Sequence, residues 1–358
     1  MGELIKGRGS TGRLPGRFEV TVSEAADDGW HGGEEEEFAT VLPRTEVREE
    51  TARSIITRNQ SPDIGFSLSV NPYRGCEHGC SYCFARPSHA YLGLSPGLDF
   101  ETKIFAKTNA PELLRRELAK PGHEVSPIAL GINTDAYQPV ERKLQLTRRI
   151  IEVLAETRHP FSLITKNALV TRDLDLLAPL ARENLVRVHF SVTSLDNRLS
   201  AALEPRASAP HSRLRAIRAL REAGVPVGVM VAPVIPWVND NEIEAVLEAV
   251  HAAGADSAGY VLLRLPHEVS PLFRDWLQTH VPDRAAHVMS TVQQLRGGKD
   301  YDATFGKRMR GEGVYAELLA RRFELALKRT GFSPRKPRQL DCTRFIAPRK
   351  PSPQGELF

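Results

Sequence analysis

Long apolar stretches are missing from this sequence of 358 residues, and its first residues lack the apolar segment of a secretory signal. A helix that crosses a membrane needs about 18 or more consecutive apolar residues, and a signal peptide needs an apolar core behind a basic start. Because the sequence has neither pattern, we expect no membrane segment and a location in the cytoplasm.

Cysteine is also scarce. Only four cysteines occur, three of them within eight positions and the fourth alone at Cys342. A disulfide framework spreads its cysteines along a short secreted chain, whereas a tight group is typical of a metal site. We therefore expect the three clustered thiols to be reduced metal ligands and Cys342 to be an incidental thiol of the tail.

A large excess of one charge is absent, since the formal net charge is only +4, but the charges are unevenly placed. Residues 1–50 carry 12 acidic and 6 basic residues, whereas residues 296–358 carry 15 basic and 7 acidic residues. The basic end is a candidate nucleic-acid surface, in which Lys307, Arg308 and Arg310 would hold phosphates. The alternative is that these side chains only solvate helix faces and a tail.

Composition divides the chain into four parts. Residues 1–50 mix glycine, arginine and acids without an apolar period, which predicts a mostly disordered N-terminal extension. Residues 51–282 are expected to form the core domain, and residues 283–332 a helical addition to it. Residues 333–358 are predicted to be a basic tail, because their prolines cannot continue a helix.

The middle of the chain alternates short β-branched runs with longer segments of helical period, which is typical of parallel strands joined by crossover helices. The predicted strands are Phe66–Val70, Ile128–Asn133, Phe161–Thr165, Val186–Val192, Val227–Ala232 and Tyr260–Leu265. Six such α/β units fit either a partial barrel or an open doubly wound sheet, and the period alone does not separate the two. In both, ligands bind at the carboxyl ends of the strands.

The first predicted strand leads into a cysteine loop in which Cys76, Cys80 and Cys83 have a C-x3-C-x2-C spacing. Thiolates are the usual ligands of iron–sulfur clusters, and three of them leave one iron of a four-iron cube open to another ligand. Two alternatives remain open. A zinc site could add His78, His89 or Cys342 to the three thiols, or the cysteines could be unrelated buried residues.

This loop resembles the cluster loop of the radical S-adenosylmethionine superfamily, including the aromatic Tyr82 before the third cysteine. The sequence around it resembles the spore-photoproduct-lyase-like, or "DNA repair photolyase", branch over roughly residues 51–332, and is most similar to a bacterial subgroup of it. The motifs that carry this likeness are SPDIGF at 61–66, NPYRG at 71–75, ARPSH at 85–89, TDAYQP at 134–139 and TKN at 165–167.

The resemblance implies a fold and two cofactors. The fold is a partial (β/α)6 TIM-like barrel with an N-terminal extension and C-terminal helices. The cofactors are a [4Fe–4S] cluster on Cys76, Cys80 and Cys83, and S-adenosylmethionine at the cluster's open iron. The chemistry also calls for an electron donor of the flavodoxin or ferredoxin type.

Several other side chains are implied to bind S-adenosylmethionine. Lys166 and Ser191 would hold its carboxylate, while Thr134 and Asp135 would lie near its amino group. The remaining candidates are Tyr82, Glu204 and Arg206, of which the carboxylate would accept from ribose hydroxyls. Each has an ordinary alternative: a terminal surface charge, a core hydroxyl, a helix cap or a surface salt bridge.

The function implied is reductive cleavage of S-adenosylmethionine to a 5′-deoxyadenosyl radical, with a nucleic acid as the candidate substrate. Spore photoproduct lyase has a further cysteine that returns a hydrogen atom to the product, and this chain has none between Cys83 and Cys342. Radical modification of a protein or a small molecule is therefore a second hypothesis. A non-catalytic module that binds zinc or a cluster is a third.

Overall fold

The computed structural model describes residues 5–18, 44–333 and 338–348, which contain two sheets. The strands are β1 (Glu46–Glu50), β2 (Ile56–Arg58), β3 (Leu68–Val70), β4 (Tyr73–Arg74), β5 (Lys103–Lys107), β6 (Ile128–Leu130), β7 (Phe161–Thr165), β8 (Val186–Ser191), β9 (Val227–Val234) and β10 (Ser257–Leu262). The larger sheet has seven strands in the order β10-β9-β8-β7-β6-β3-β2. All neighbours in it are parallel except β2, which runs antiparallel to β3.

Helices separate the parallel strands. They are α1 (Leu98–Thr102), α2 (Ala110–Leu118), α3 (Glu141–Leu144), α4 (Leu146–Glu156), α5 (Leu174–Arg182), α6 (Asn197–Leu203), α7 (Pro210–Glu222), α8 (Ile243–Ala252), α9 (Val269–His280), α10 (Pro282–Gln294) and α11 (Val314–Thr330). Three 3₁₀ helices occur at Arg86–Leu92, Ala168–Asp173 and Asp240–Glu242. Among the described residues, no helix has the length and apolar composition that a bilayer span requires.

The seven-stranded sheet is open, because β10 and β2 are its two edges. Six parallel strands with helical crossovers are the elements of a partial (β/α)6 barrel, so the predicted fold class is confirmed. All six predicted strands are present, with ends shifted by up to three residues. Their alternation places residues such as Val188 and Val229 in one large core between the sheet and its helices.

A C-terminal segment spans the gap between the sheet's two edges. The Leu262 N–H at the end of β10 donates to the Met309 carbonyl at 3.0 Å. One residue earlier, the Arg308 guanidinium pairs with Asp63 at 2.5 Å, in the loop between β2 and β3. The segment therefore contacts β10 at one edge and the loop beside β2 at the other. Arg308 has this internal partner, and its phosphate contact stays a prediction.

The N-terminal extension differs from the expected disorder wherever the structure describes it. Strand β1 pairs in parallel with β5, and β4 pairs antiparallel with β5 to complete a small second sheet. Residues 5–18 pack against two other parts of the domain. The Leu14 N–H donates to Ser95 Oγ, before α1, at 2.9 Å, and Arg17 Nε pairs with Glu268, directly before α9, at 2.7 Å. The rest of the predicted disordered extension lies outside the described residues.

Part of the predicted tail is also packed on the domain. The Asp341 N–H donates to the Asn184 carbonyl at 2.9 Å and the Ile346 N–H to the Thr157 carbonyl at 2.8 Å. Asn184 and Thr157 precede β8 and β7, so residues 338–348 lie at the amino ends of the strands. Cys342 is therefore at the opposite end of the sheet from the cysteine loop. The proposed domain limits stay a proposal.

One pH-dependent contribution to stability follows from His159. Its side chain is fully buried, its Nδ1 lies 3.0 Å from the Pro160 carbonyl, and its Nε2 lies 3.0 Å from Nε2 of His123. Burial lowers the pKa of His159 to about 4, whereas a histidine in the unfolded chain titrates near about 6.5. The unfolded chain binds more protons in this interval, so acid destabilises the fold.

We expect the free energy of unfolding to fall as the pH drops from about 6.5 towards 4, with His159 contributing up to about 1.4 kcal/mol per pH unit. His159→Gln should remove this share of the slope in urea unfolding at pH 7, 6 and 5. The matched control, His211→Gln at an exposed position, should leave the slope unchanged. Equal slopes for wild type and His159→Gln would contradict the prediction.

Candidate metal and cofactor site

The cysteine loop follows the carboxyl end of β3 and is held by backbone hydrogen bonds to the helices α1 and α6. The Cys76 N–H donates to the Phe100 carbonyl at 2.9 Å, and the Ser81 N–H donates to the Leu203 carbonyl at 3.1 Å. Cys76 and Cys80 are each 7% exposed, and Cys83 is more open to solvent. The loop therefore presents three fixed thiols at the edge where parallel-sheet proteins bind their ligands.

A buried arginine fixes the middle of this loop. Arg86 has no exposed surface; its Nε donates to the Cys80 carbonyl at 2.8 Å, and one terminal nitrogen donates to the Gly97 carbonyl at 2.9 Å. Its other terminal nitrogen pairs with the fully buried Glu101 at 2.5 Å. The planar guanidinium can hold several oxygens at once, so it ties the Cys80 turn to the segment that precedes α1.

The N-terminal segment closes the outer side of the loop at Gly9. The Gly9 N–H donates to Glu101 Oε2 at 3.0 Å, and a Cβ placed on Gly9 would lie 1.6 Å from the Gly79 carbonyl oxygen. Gly79 itself has a φ of 66°, and a Cβ there would lie 2.7 Å from Glu101. Gly9 therefore requires glycine because its backbone touches that of Gly79, and Gly79 requires it because its φ is positive and the Glu101 carboxylate is close.

Burial dominates the acidity of the two buried thiols. It raises the pKa of Cys80 to about 12 and the pKa of Cys76 well above its usual range. Nearby negative groups raise both pKa values further, Glu204 for Cys80 and Asp135 for Cys76, followed by the neighbouring thiols. Lys166 and Arg86 act in the opposite direction on Cys80. A bound cation would supply the missing stabilisation of three thiolates, so this donor set fits a metal centre.

The described residues contain no group of three or more His, Cys, Asp or Glu side chains placed to hold one metal ion. A zinc site would need ligands that converge on a single centre. In a cluster ligand set, each thiolate binds its own iron.

A buried carboxylate organises the side chains behind the loop. Glu204, which is 2% exposed, accepts from the Tyr82 hydroxyl and from Thr193 Oγ1, the latter at 2.7 Å, and pairs with the buried Arg213. Although burial alone would raise it, the charges of Arg213 and Lys166 lower the pKa of Glu204. The carboxylate stays ionised and fixes the Tyr82 ring beside Cys80.

Lys166 contributes an ammonium to this region. It follows β7, and its Nζ lies 6.0 Å from the centre of the Tyr82 ring. Within the described part of the chain, no side chain or carbonyl forms a hydrogen bond or ion pair with this Nζ. Burial alone would lower the pKa of Lys166, but Cys80, Glu204 and Asp135 raise it. The site therefore keeps a charged ammonium available for a ligand.

Asp135, after β6, has both oxygens occupied by the protein. It accepts from Thr165 Oγ1 at 2.7 Å and from the Lys166 N–H at 2.8 Å, and it lies 3.3 Å from Nδ1 of the buried His78. Burial alone would raise its pKa, but His78 and these hydrogen bonds lower it to about 2. Asp135 thus joins the carboxyl ends of β6 and β7 to the cysteine loop.

The other predicted residues also have partners in the protein. Ser191 Oγ donates to the Ala232 carbonyl at 3.0 Å, and Thr134 Oγ1 donates to the Tyr73 carbonyl at 3.1 Å. Arg206 turns outward and pairs with Glu77 at 3.1 Å. The structure therefore brings Tyr82, Lys166 and Glu204 together around Cys80, with Asp135 alongside, and places Arg206 at the rim.

Sequence reasoning missed four buried residues that support the site. They are His78, which pairs with Asp135, Arg86, which hydrogen-bonds the cysteine loop, Gln138 and Thr193. Gln138 accepts from the Glu77 N–H at 2.9 Å and donates to the Gly75 carbonyl at 3.1 Å. Arg86 and Gln138 lie within quoted motifs, which was the available signal. Nothing in the local sequence of Thr193 singles it out.

Comparison with known families now identifies the class. The family model of the radical SAM superfamily matches residues 70–250, just over half of the chain, so the chain belongs to this superfamily. The match begins at the end of β3 and includes the cysteine loop and every candidate cofactor residue. Enzymes of this superfamily use a [4Fe–4S] cluster and S-adenosylmethionine.

Relatives are found in bacteria and archaea. An uncharacterized protein of Mycobacterium tuberculosis (strain ATCC 25618 / H37Rv) is 40% identical over 222 residues, which is 62% of this chain and 65% of that protein. An uncharacterized protein of Methanocaldococcus jannaschii is 28% identical over 178 residues, covering 50% of this chain and 64% of that protein. The matches thus span just under two thirds of these relatives' lengths.

Among solved structures, spore photoproduct lyase complexed with dinucleoside spore photoproduct has a similar fold. The TM-score is 0.55 at 16% sequence identity, with 80% of each chain covered. At this identity the similarity establishes the fold alone.

Proposed function

We propose that this protein is a radical S-adenosylmethionine enzyme whose cluster is held by Cys76, Cys80 and Cys83. The observation that carries the proposal is the Lys166 ammonium, which has no hydrogen-bond or ion-pair partner among the described residues. It lies at the carboxyl edge of a parallel sheet, behind a loop in which Cys76 and Cys80 are buried and Cys83 is half-buried. Family membership over residues 70–250 supports the cofactor pair. The cluster's iron would supply positive charge to the three thiolates. A ligand carboxylate would supply negative charge to the Lys166 ammonium.

When bound, the cluster and S-adenosylmethionine supply one-electron cleavage of the sulfonium and a carbon radical that takes hydrogen from a substrate. The chain's own residues position these groups. Arg86 fixes the Cys80 turn, and Glu204 fixes the Tyr82 ring next to it. Lys166 would donate to the carboxylate of S-adenosylmethionine, while the packed loop keeps most water away from the thiols of Cys76 and Cys80.

The remaining candidates keep a narrower proposed role. The hydroxyl protons of Ser191 and Thr134 are donated to backbone carbonyls, but their lone pairs can still accept from an ammonium or a ribose hydroxyl. Asp135 and Glu204 are saturated by protein donors and would act by holding neighbours in place. Arg206 would contribute at the rim. The cytoplasmic location also stays a prediction.

We expect Cys76→Ala, Cys80→Ala and Cys83→Ala each to abolish the cluster, because each thiolate binds one iron. After anaerobic reconstitution, the wild type should hold about four irons and four sulfides per chain, and each variant should lose this iron and the associated absorbance. Cys342→Ala is the matched control, since it lies at the opposite end of the sheet. Full iron loading of Cys80→Ala, or tight zinc without sulfide in the wild type, would contradict the assignment.

We expect Lys166→Ala to weaken S-adenosylmethionine binding while leaving iron and sulfide contents unchanged. A charge-assisted hydrogen bond contributes roughly 1.5–3 kcal/mol, so affinity should fall by about tenfold or more. Calorimetry on the anaerobically reconstituted protein measures this change. Lys328→Ala, on the exposed face of α11, is the control, and equal affinity for wild type and Lys166→Ala would remove Lys166 from the site.

For the substrate we propose an anionic molecule, with nucleic acid as the first class to test. The Arg264 guanidinium lies 5.0 Å from the centre of the Phe84 ring, which follows Cys83 directly and is 45% exposed. Nε of Arg264 is buried without a hydrogen-bond partner in the described structure. An aromatic face beside an arginine can hold a base and its phosphate. Modification of a protein or a small molecule is the alternative, and it needs no such contacts.

We expect binding to single-stranded DNA to weaken steeply as salt rises, and Lys307→Gln with Arg310→Gln to flatten that dependence, because both exposed cations would contact phosphates. Arg308 is left unchanged because it pairs with Asp63. An electrophoretic shift assay over a salt series measures the slopes, with Lys328→Gln and Arg329→Gln as a charge-matched control. No binding by the wild type at low salt would favour the protein or small-molecule hypothesis.

A further inference from the structure

Residues 5–18 and 86–102 form one continuous layer outside the cysteine loop, called here the outer face. The two segments are joined by backbone and side-chain contacts: the Leu98 N–H donates to the Gly12 carbonyl at 3.2 Å, and Ser95 Oγ donates to the Leu14 carbonyl at 2.7 Å. Gly9 touches the Gly79 carbonyl in the loop itself. Because the layer contacts the loop directly, only this layer and the loop lie between the outer face and the thiols.

The acidic side chains of the outer face are buried, whereas its basic side chains are partly exposed. Residues 5–18 contain four basic residues and no acid. The acids in residues 86–102 are Asp99 and Glu101, which are 6% and 0% exposed. The side chains of Arg13 and Arg17 are 42% and 34% exposed while they pair with carboxylates beneath them. Among the described residues of this face, the carboxylates thus point inward and the cations outward, so the described solvent side presents more positive than negative charge.

The same face exposes aromatic surface. Tyr91, on the 3₁₀ helix that follows Cys83, is 71% exposed, and Phe18 is 53% exposed with its ring 5.2 Å from that of Tyr91. The guanidinium of Arg17 lies 5.4 Å from the Phe18 ring centre and 6.0 Å from the Tyr91 ring centre. Tyrosine, phenylalanine and arginine are the residues enriched at the centres of protein interfaces.

We propose that the outer face is the docking surface for an acidic one-electron carrier protein of the flavodoxin type, which reduces the metal centre through the cysteine loop. This inference rests on the proposed function, because an electron carrier can act here only if a redox centre lies behind the loop. In the transfer, one electron leaves the reduced flavin and enters the iron–sulfur centre. The flavin is oxidised by one electron, and no atom crosses the interface.

The test compares reduction by a protein with reduction by a small molecule. The reconstituted enzyme is mixed anaerobically with photoreduced flavodoxin, and the bleaching of the iron–sulfur absorbance is followed by stopped flow at low and high salt. Arg13→Gln with Arg17→Gln should slow the flavodoxin reaction by about fivefold or more at low salt, because steering by opposite charge is lost. Reduction by dithionite should be unchanged.

Two controls make the outcome decisive. Arg215→Gln with Arg218→Gln removes the same amount of charge from the exposed side of α7, outside the outer face. At about 0.1 M salt, where charges are screened beyond about 10 Å, it should leave the flavodoxin rate within about twofold of wild type. Tyr91→Ser tests the aromatic contact without altering any charge and should also slow flavodoxin but not dithionite.

Equal flavodoxin rates in the wild type, the arginine variant and Tyr91→Ser would overturn the docking proposal. So would a wild type that dithionite reduces and flavodoxin does not. If the arginine variant loses iron on reconstitution, Tyr91→Ser decides the question alone. Failure of the proposed function would show differently, as absence of 5′-deoxyadenosine in the wild type under dithionite with full iron loading.

Discussion

The ion pair between Arg86 and Glu101 is the contact on which the rest of the site depends. Both side chains are fully buried, and the guanidinium also donates to the carbonyls of Cys80, Pro96 and Gly97. Removing one partner would leave an uncompensated buried charge, at a cost of about 3–5 kcal/mol. Because the second Glu101 oxygen accepts from Gly9, the same pair joins the loop that carries the thiols to the N-terminal segment that covers it.

The core of the fold could be predicted from the sequence because its signal is local. Six buried strands of β-branched residues alternate with amphipathic helices, and all six were found. The small sheet could not be predicted in this way. The residues of β1, EVREE, show no apolar alternation and are mostly exposed, so this strand exists only because β5 offers it a pairing edge. The same holds for residues 5–18, whose place depends on two glycines that let backbones touch.

The candidate site was predictable in its ligands and less so in its supporting residues. The spacing of the cysteines and the family likeness pointed to the thiols, and a lysine at a strand end was a reasonable ligand for a carboxylate. Whether a polar side chain is free or already satisfied is a property of the fold. Ser191 and Lys166 both lie at the carboxyl ends of strands. The Ser191 hydroxyl donates to the Ala232 carbonyl, whereas the Lys166 ammonium has no hydrogen-bond or ion-pair partner among the described residues.

The cysteine loop combines buried thiols with nearby cationic side chains, which suits a buried metal centre. The two buried thiols, Cys76 and Cys80, have raised pKa values and would need compensation to become thiolates. The cations nearest to them, Lys166 and Arg86, each face a carboxylate as well, Glu204 and Glu101, so the pocket without ligands is close to electrically balanced. A cationic cluster and an amino acid carboxylate add opposite charges to this balance, whereas a lone dication would not use the Lys166 ammonium. The polarity of the pocket thus argues for a pair of cofactors rather than for a single metal ion.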